Sequence, residues 1–119
     1  MANGYLTTHV LDTARGLPAD GITISLYLLS GNLREKIAQA VTNADGRTDT
    51  PILPSGKMTV GQYELVFQTG EYLDQNNLAT GEIKFLDEIP IRFGIDDEEA
   101  HYHVPLLLSP FGYSTYRGS

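Results

Sequence analysis

Two of the three histidines in the sequence, His101 and His103, are separated by a single residue. In an extended strand, residues i and i+2 project from the same face, so these two imidazoles are expected to lie side by side. Imidazole titrates near neutral pH and serves as an acid, a base or a metal ligand. The other face of the same predicted strand is typical of a protein core and consists of Tyr102, Val104, Leu106 and Leu108.

The third histidine, His9, occupies a similar position near the start of the sequence. The predicted strand from Tyr5 to Asp12 alternates between two faces. One face is core-like, with Leu6, Thr8 and Val10, and the other carries Thr7, His9 and Leu11. Both histidine-bearing strands are predicted to present chemistry outward, although ordinary solvent-facing histidines would produce the same pattern.

Arg47 directly follows Asp45-Gly46, a dipeptide typical of tight turns. Such a turn restricts where the arginine can lie, and a guanidinium group binds planar anions through its fork of donors. We predict an anion-binding role for Arg47, with a solvated turn residue as the alternative.

Other kinds of site find less support in the sequence. Three histidines could form a zinc site with a bound water, but no His-Glu-x-x-His pairing accompanies them, and we predict no metal. The absence of cysteine excludes thiolate chemistry. Phosphate-binding glycine loops are missing, as is the Gly-x-Ser-x-Gly motif. The candidate nucleophilic serines therefore qualify by residue type alone: Ser109, Ser114 and Ser119.

The charge balance excludes several classes of partner. Fifteen acidic and eight basic residues give a formal net charge of −7. Nucleic acids and anionic membrane surfaces both require a basic footprint, so we expect neither as a partner. No apolar stretch reaches the length of a membrane span, and the first residues do not resemble a signal peptide. These features predict a cytoplasmic protein, although a removed leader would leave no trace.

The elements that must position these residues are short strands. A chain of 119 residues predicts one domain, 1–119, that is large enough for its own core. Alternating segments recur about every ten residues between glycine and proline turns. They predict an all-β sandwich of seven to eight strands in two antiparallel sheets. The predicted strands are 5–12, 22–29, 35–42 (polar, at an edge), 62–68, 89–95, 101–108 and 113–117.

Three local features complete the prediction. In the strand 62–68, Tyr63, Leu65 and Phe67 should face inward, and Glu64, Val66 and Gln68 outward. One short helix, 70–77, is expected, with Thr69 as its N-cap. The acidic run 96–99 is predicted to be a solvated hairpin loop rather than a metal site.

Three segments resemble the 5-hydroxyisourate hydrolase family, the transthyretin-related group of the urate breakdown pathway. Residues 101–119, HYHVPLLLSPFGYSTYRGS, are similar to the family's terminal signature, and the ending YRGS is its most specific mark. Residues 6–19, LTTHVLDTARGLPA, resemble its first-strand motif, and 42–48, TNADGRT, resemble its third motif. The resemblance spans the whole chain.

The resemblance implies a transthyretin-like (prealbumin-like) β-sandwich that hydrolyses 5-hydroxyisourate to 2-oxo-4-hydroxy-4-carboxy-5-ureidoimidazoline without a cofactor. It implies a homotetramer with active sites where two dimers meet. The residues that match the family's active site are His9, Arg47 and His103 as catalytic groups, and Tyr116, Arg117, Gly118 and Ser119 in substrate binding. Which histidine is the base stays open, as does any role for His101.

The hormone carrier transthyretin shares this fold and defines the competing function, a binding protein for an aromatic ligand. Where this sequence has His9, Arg47 and His103, the carrier has a lysine, a glutamate and a threonine. An interaction module without a pocket is a third alternative. The positions that bear chemistry therefore favour the enzyme.

Overall fold

Eight strands and one helix make up the regular structure of the computed structural model, which describes residues 2–79 and 81–119. The strands form two four-stranded sheets, in the orders β2-β1-β7-β8 and β4-β3-β5-β6. The predicted β-sandwich with one short helix is confirmed. In chain order the elements are β1 (Tyr5–Asp12), β2 (Leu17–Pro18), β3 (Thr23–Ser30), β4 (Leu33–Val41), β5 (Gly61–Gln68), α1 (Thr69–Gln75), β6 (Glu88–Ile95), β7 (His101–Ser109) and β8 (Gly112–Thr115).

The core lies between the two sheets and follows the predicted alternation. In β1 and β7 every second side chain is buried, and the residues between them are mostly half-buried on the outer face. Burying a large aliphatic or aromatic side chain contributes about 1.5–3 kcal/mol, so this face fixes the register of both strands. Fully buried core residues include Leu6, Val10, Ile24, Leu26, Leu65, Phe67 and Leu106.

β1 and β7 pair in parallel, whereas the other strand pairs of the described chain are antiparallel. The predicted antiparallel arrangement holds except at this pair, because alternation determines which face a residue occupies but not the direction of its neighbour. The register matters for function because paired residues project from one face. The pairs on the outer face are Tyr5 with His101, Thr7 with His103 and His9 with Pro105.

The outer face of β5 is more covered than predicted. Glu64 and Val66, predicted to point outward, are only 4% and 5% exposed, so this outer face is covered by other side chains. The Glu64 carboxylate accepts hydrogen bonds from Arg34 at 2.7 and 2.9 Å and from Arg92 at 2.7 Å. These long side chains reach in from β4 and β6 and cover Glu64 on β5.

The helix begins one residue earlier than predicted. Thr69 is its first residue rather than its N-cap, and its hydroxyl donates to the carbonyl of Asp87. At the other side of α1, the Tyr72 hydroxyl donates to the Asp12 carboxylate at 2.6 Å, which ties the helix to the end of β1. No helix among residues 2–79 and 81–119 has the length and apolarity needed to span a bilayer.

One loop and one strand boundary also differ from the prediction. The acidic run 96–99 joins β6 in one sheet to β7 in the other, so it is not a hairpin. The Tyr102 hydroxyl donates to Asp96 at 3.0 Å and anchors this crossing. β8 ends at Thr115, so Tyr116 and Arg117 lie beyond the strand predicted to contain them.

Candidate active site

The turn before Arg47 holds the arginine next to the first histidine. Gly46 has a φ of 73°, a left-handed conformation that favours glycine. Its carbonyl accepts a hydrogen bond from the Val10 amide of β1 at 2.8 Å, and a side chain at position 46 would collide with the Val10 carbonyl. Arg47 then forms a β-bridge with His9. The local turn chemistry therefore delivers the guanidinium to the histidine face.

β1 and β7 place the three histidines in one group on the outer face of their sheet. All three are half-buried. The ring centroid of His103 lies 6.4 Å from that of His9 and 6.2 Å from that of His101. A water molecule or a small planar substrate can contact two of these rings at once.

Residues 116–119 return along β7 to the same histidines. The Gly118 amide donates to the His103 carbonyl at 2.7 Å, and the His103 amide donates to the Gly118 carbonyl at 3.3 Å. A Cβ atom at position 118 would lie 3.1 Å from the His103 side chain, so a side chain here would crowd the imidazole. Arg117 turns the other way, and its guanidinium lies over the Tyr102 ring at 4.1 Å from the centroid, a cation–π contact.

These segments enclose an open cavity of about 650 Å³ within a single chain. Small-molecule sites span about 300–1,000 Å³, so the volume suits a compact ligand. The structure brings His9, Arg47 and His103 together here, with Tyr116 and Ser119 from the tail. Gly118 contributes through its backbone bridge, and Arg117 contacts Tyr102 instead of the cavity.

Both predicted catalytic histidines are held neutral at pH 7. Burial lowers the pKa of His9 below its usual 6.5, the charge of Arg47 lowers it further, and the backbone and carboxylate of Asp45 act in the opposite direction. Burial also lowers the pKa of His103, with further contributions from Arg47, His101 and His9. A neutral imidazole can accept a proton, so either ring can act as a base.

Two residues without a predicted role contact the histidines. The Thr7 hydroxyl oxygen lies 2.6 Å from Nε2 of His101 and 2.8 Å from Nδ1 of His103. Tyr5 stacks on His101, with centroids 4.1 Å apart and an interplanar angle of 11°. The available signal in the sequence was the period-two spacing of Tyr5, Thr7 and His9 along one strand.

The arrangement combines neutral imidazoles with a fixed positive charge. This set can deprotonate a water and stabilise negative charge that develops on a bound carbonyl. Of the serines considered as nucleophiles, Ser109 donates to the Gly112 carbonyl at 3.0 Å within the β7–β8 turn, and Ser119 lines the cavity. Within residues 2–79 and 81–119, no group of three or more histidine, aspartate or glutamate side chains is arranged to hold a metal ion.

Comparison with known proteins agrees with this architecture. The model of the HIUase/Transthyretin family matches residues 6–118. A protein named 5-hydroxyisourate hydrolase 2, from Rhizobium meliloti (strain 1021), is 53% identical over 117 residues, which cover 98% of each chain. The crystal structure of an (S)-allantoin synthase aligns with a TM-score of 0.93 and 51% identity, over 99% of this chain and 44% of that chain.

A thyroxine-bound structure is also similar, but at lower identity. Sea bream transthyretin in complex with thyroxine aligns with a TM-score of 0.83 and 26% identity, over 95% of this chain and 93% of that one. The family resemblance predicted from the three motifs is confirmed. Because the family model covers nearly the whole sequence, this chain belongs to the HIUase/Transthyretin family.

Proposed function

We propose that this protein hydrolyses 5-hydroxyisourate, opening a ring amide to give 2-oxo-4-hydroxy-4-carboxy-5-ureidoimidazoline. The observation that carries the proposal is the convergence of His9, Arg47 and His103 on one cavity. A relative that is 53% identical to this chain bears the name 5-hydroxyisourate hydrolase 2, which agrees with it. The proposed reaction needs no cofactor, because side chains supply the base and the positive charge.

The two histidines bind and activate the attacking water. Their lowered pKa values keep both rings neutral at pH 7, so one of them can take the proton as the water attacks the carbonyl carbon. A positioned base of this kind contributes about 10²–10⁴-fold to the rate. The ring closer to the reacting carbonyl is the base, and the second ring orients the water.

Arg47 binds the carbonyl-rich substrate and stabilises the oxyanion that forms after attack. Its guanidinium presents donors in a planar fork that matches the edge of a heterocycle with adjacent oxygens. Its backbone bridge to His9 keeps the positive charge next to the water-activating rings. Donors aimed at a developing charge contribute about 10²–10³-fold each.

The tail residues shape the binding pocket. Tyr116 and Ser119 line the cavity and limit which rings can enter. Gly118 holds the backbone of His103 through two hydrogen bonds. The cation–π contact of Arg117 with Tyr102 anchors the tail, residues 116–119, to β7.

A homotetramer completes the proposal, with active sites where two dimers meet. The supporting observation is the position of the cavity, which opens on the outer face of sheet β2-β1-β7-β8 rather than inside the sandwich. Tyr116, which lines the cavity, is 59% exposed in the single chain. A second copy facing this sheet would cover its ring and exclude water from the site.

Ring opening can be followed by ultraviolet absorbance on freshly generated 5-hydroxyisourate. The wild-type protein should accelerate the decay above the spontaneous rate, and His103→Ala should lower kcat/KM by about a hundredfold or more. Glu35→Ala, an exposed position on β4 in the opposite sheet, serves as the control and should match wild type. A wild-type rate equal to the spontaneous rate would refute the proposal.

The carrier function is distinguished by ligand binding. A transthyretin-like carrier would bind an iodinated aromatic hormone tightly and leave 5-hydroxyisourate unchanged. We expect the opposite result, with weak hormone binding, because Arg47, Asp49 and the histidines make the cavity polar. Calorimetry with thyroxine, together with the absorbance assay, decides between the two functions.

A further inference from the structure

The Thr7 hydroxyl bridges two imidazoles that the proposed mechanism does not connect. We propose that Thr7 and His101 form a proton relay with His103. Thr7 fixes the tautomer of His103, accepts the Nδ1 proton of that ring and donates its own hydroxyl proton to His101. This inference rests on the proposed hydrolysis and assigns positioning roles to two residues of the same site. It identifies a purpose for His101, whose contribution the sequence leaves open.

The relay geometry follows from the parallel register of β1 and β7. Thr7 pairs directly with His103, and His101 lies one pair further along the same face. The hydroxyl oxygen therefore sits between the two rings, 2.8 Å from Nδ1 of His103 and 2.6 Å from Nε2 of His101. Both separations are within hydrogen-bond range.

The single hydroxyl proton of Thr7 limits the directions in which its hydrogen bonds to the two imidazoles can run. A threonine hydroxyl has one proton to donate and two lone pairs to accept with. If Thr7 donated to Nδ1 of His103, the neutral ring would carry its proton on Nε2 and could not accept one from water there. If His103 instead donates its Nδ1 proton to Thr7, Nε2 is free to act as a base. Thr7 then donates to Nε2 of His101, which completes the chain.

Proton transfer along this chain is balanced. Nε2 of His103 gains a proton from the attacking water, and the Nδ1 proton of His103 moves to the Thr7 oxygen. The original Thr7 proton moves to Nε2 of His101. Thr7 is unchanged, His103 is neutral again, and the positive charge has moved to His101.

The transfer moves charge away from Arg47. Arg47 forms a β-bridge with His9. Further along β1, Thr7 pairs with His103 and Tyr5 pairs with His101. At about 3.3 Å per residue, the partner of His103 is about 7 Å along the strand from His9, and the partner of His101 is about 13 Å away. Repulsion between the guanidinium and the new imidazolium is therefore weaker at His101.

Tyr5 fixes the outer end of the relay. Its ring stacks on His101 at 4.1 Å and nearly parallel, which holds Nε2 toward the Thr7 hydroxyl. The cavity contains further titratable and charged groups that face the histidine row. They are His9 on β1, Arg47 and Asp49 in the loop after the turn, and Tyr116 in the tail.

The first test removes the hydroxyl without changing the volume of the side chain. Thr7→Val should lower kcat by about tenfold to a hundredfold with little change in KM, and Thr7→Ser should restore kcat to within about threefold of wild type. Thr13→Val is the matched control, because the Thr13 hydroxyl, directly after β1, also bonds to β7, donating to the Leu108 carbonyl at 3.0 Å, but lies outside the cavity. Wild-type kcat in Thr7→Val would overturn the relay.

The second test asks whether Thr7 and His101 act as one unit. His101→Phe keeps an aromatic ring for Tyr5 to stack on but removes the nitrogen that receives the proton. It should reproduce the loss of Thr7→Val, and the double variant should be no slower than either single variant. Losses that multiply in the double variant would mean that the two residues act independently, which contradicts the relay.

The third test does not depend on catalysis. Ring ¹⁵N chemical shifts in the wild-type protein, at a pH where His103 is neutral, should identify the tautomer protonated on Nδ1. Thr7→Val should shift the population toward the tautomer protonated on Nε2, and Thr13→Val should not. A wild-type His103 protonated on Nε2 would overturn the relay even if the enzyme opens its substrate. If the substrate is not opened, the hydrolysis proposal fails and the shifts still decide the relay.

Discussion

The proposed catalytic side chains are held mainly through their backbones. Arg47 is tied to His9 by a β-bridge, and His103 is tied to Gly118 by a second bridge. Backbone hydrogen bonds fix the origin of each side chain, so only a few side-chain torsions remain to be ordered when substrate binds. This arrangement favours a preorganised site, whose donors and bases need little movement during the reaction.

The fork of Arg47 should matter as much as its charge. Arg47→Lys keeps the positive charge but loses the planar pair of donors, so kcat/KM should fall by about tenfold, and Arg47→Ala should lower it by about a hundredfold or more. The control is Lys57→Ala, which removes one exposed positive charge outside the cavity. The absorbance assay measures all three variants. Equal rates for the lysine and wild-type proteins would contradict recognition through the fork.

The pH dependence of the reaction should show an acid limb below pH 6.5. Burial and Arg47 lower the pKa values of His9 and His103, so both rings stay neutral down to a lower pH than free imidazole. Because protonation removes the base, kcat/KM should be constant above pH 6.5 and fall as the pH decreases through the lowered pKa values. In Arg47→Ala the midpoint of the residual activity should move upward, because one cause of the lowering is gone. An acid limb centred above pH 6.5 in the wild type would contradict this.

The same pKa shifts affect folding. Between pH 6.5 and the lowered pKa values, the unfolded chain binds more protons than the folded one at His9 and His103. Stability therefore decreases as the pH falls through this window and is unaffected by these two groups above it.

At the residue scale, sequence predicts what local rules determine. Alternation places His9 and His103 on outward faces, and the Asp45-Gly46 turn restricts Arg47. Alternation places Thr7 on the same face, but the proposed role of its hydroxyl depends on contact with His103, 96 residues away. A long-range register of this kind is not encoded in any local pattern.

Among the elements, strand faces were easier to predict than strand partners. The burial pattern of β1 and β7 agrees with the predicted alternation. Their parallel pairing and the burial of Glu64 depend on which strands become neighbours, and Glu64 is covered only because Arg34 and Arg92 reach it from both sides.

The segment 116–119 is the element on which we expect activity to depend most. Deleting it removes the backbone bridge to His103 and two cavity-lining side chains, Tyr116 and Ser119, so activity should fall to the spontaneous rate. The core lies between the sheets and does not include these residues, so the far-ultraviolet circular dichroism spectrum should be retained.

A smaller change in the same segment serves as a check. Gly118→Ala adds a single methyl group that would lie 3.1 Å from the His103 side chain, so it should lower kcat without changing the spectrum. Loss of the spectrum in the deletion variant would mean that the segment is structural rather than part of the site.

At the scale of the whole molecule, the outer face of sheet β2-β1-β7-β8 determines how copies should associate. Sedimentation velocity should give the mass of a tetramer, four times 13.1 kDa, because that face carries half-buried histidines and the exposed Tyr116 ring. Dilution that dissociates the tetramer should reduce specific activity, since water would then enter the cavity. A monomer with full specific activity would refute the proposed location of the sites between dimers.

The parallel neighbours β1 and β7 also constrain when the protein can begin to work. During translation, β1 leaves the ribosome long before β7 is made, so the nascent chain cannot pair them until about ninety further residues have been added. Pairings so distant in sequence are slow to close, because the intervening loop must lose its entropy first. The imidazole row can therefore assemble only after β7 has been synthesised, and a chain that still lacks β7 holds no competent site.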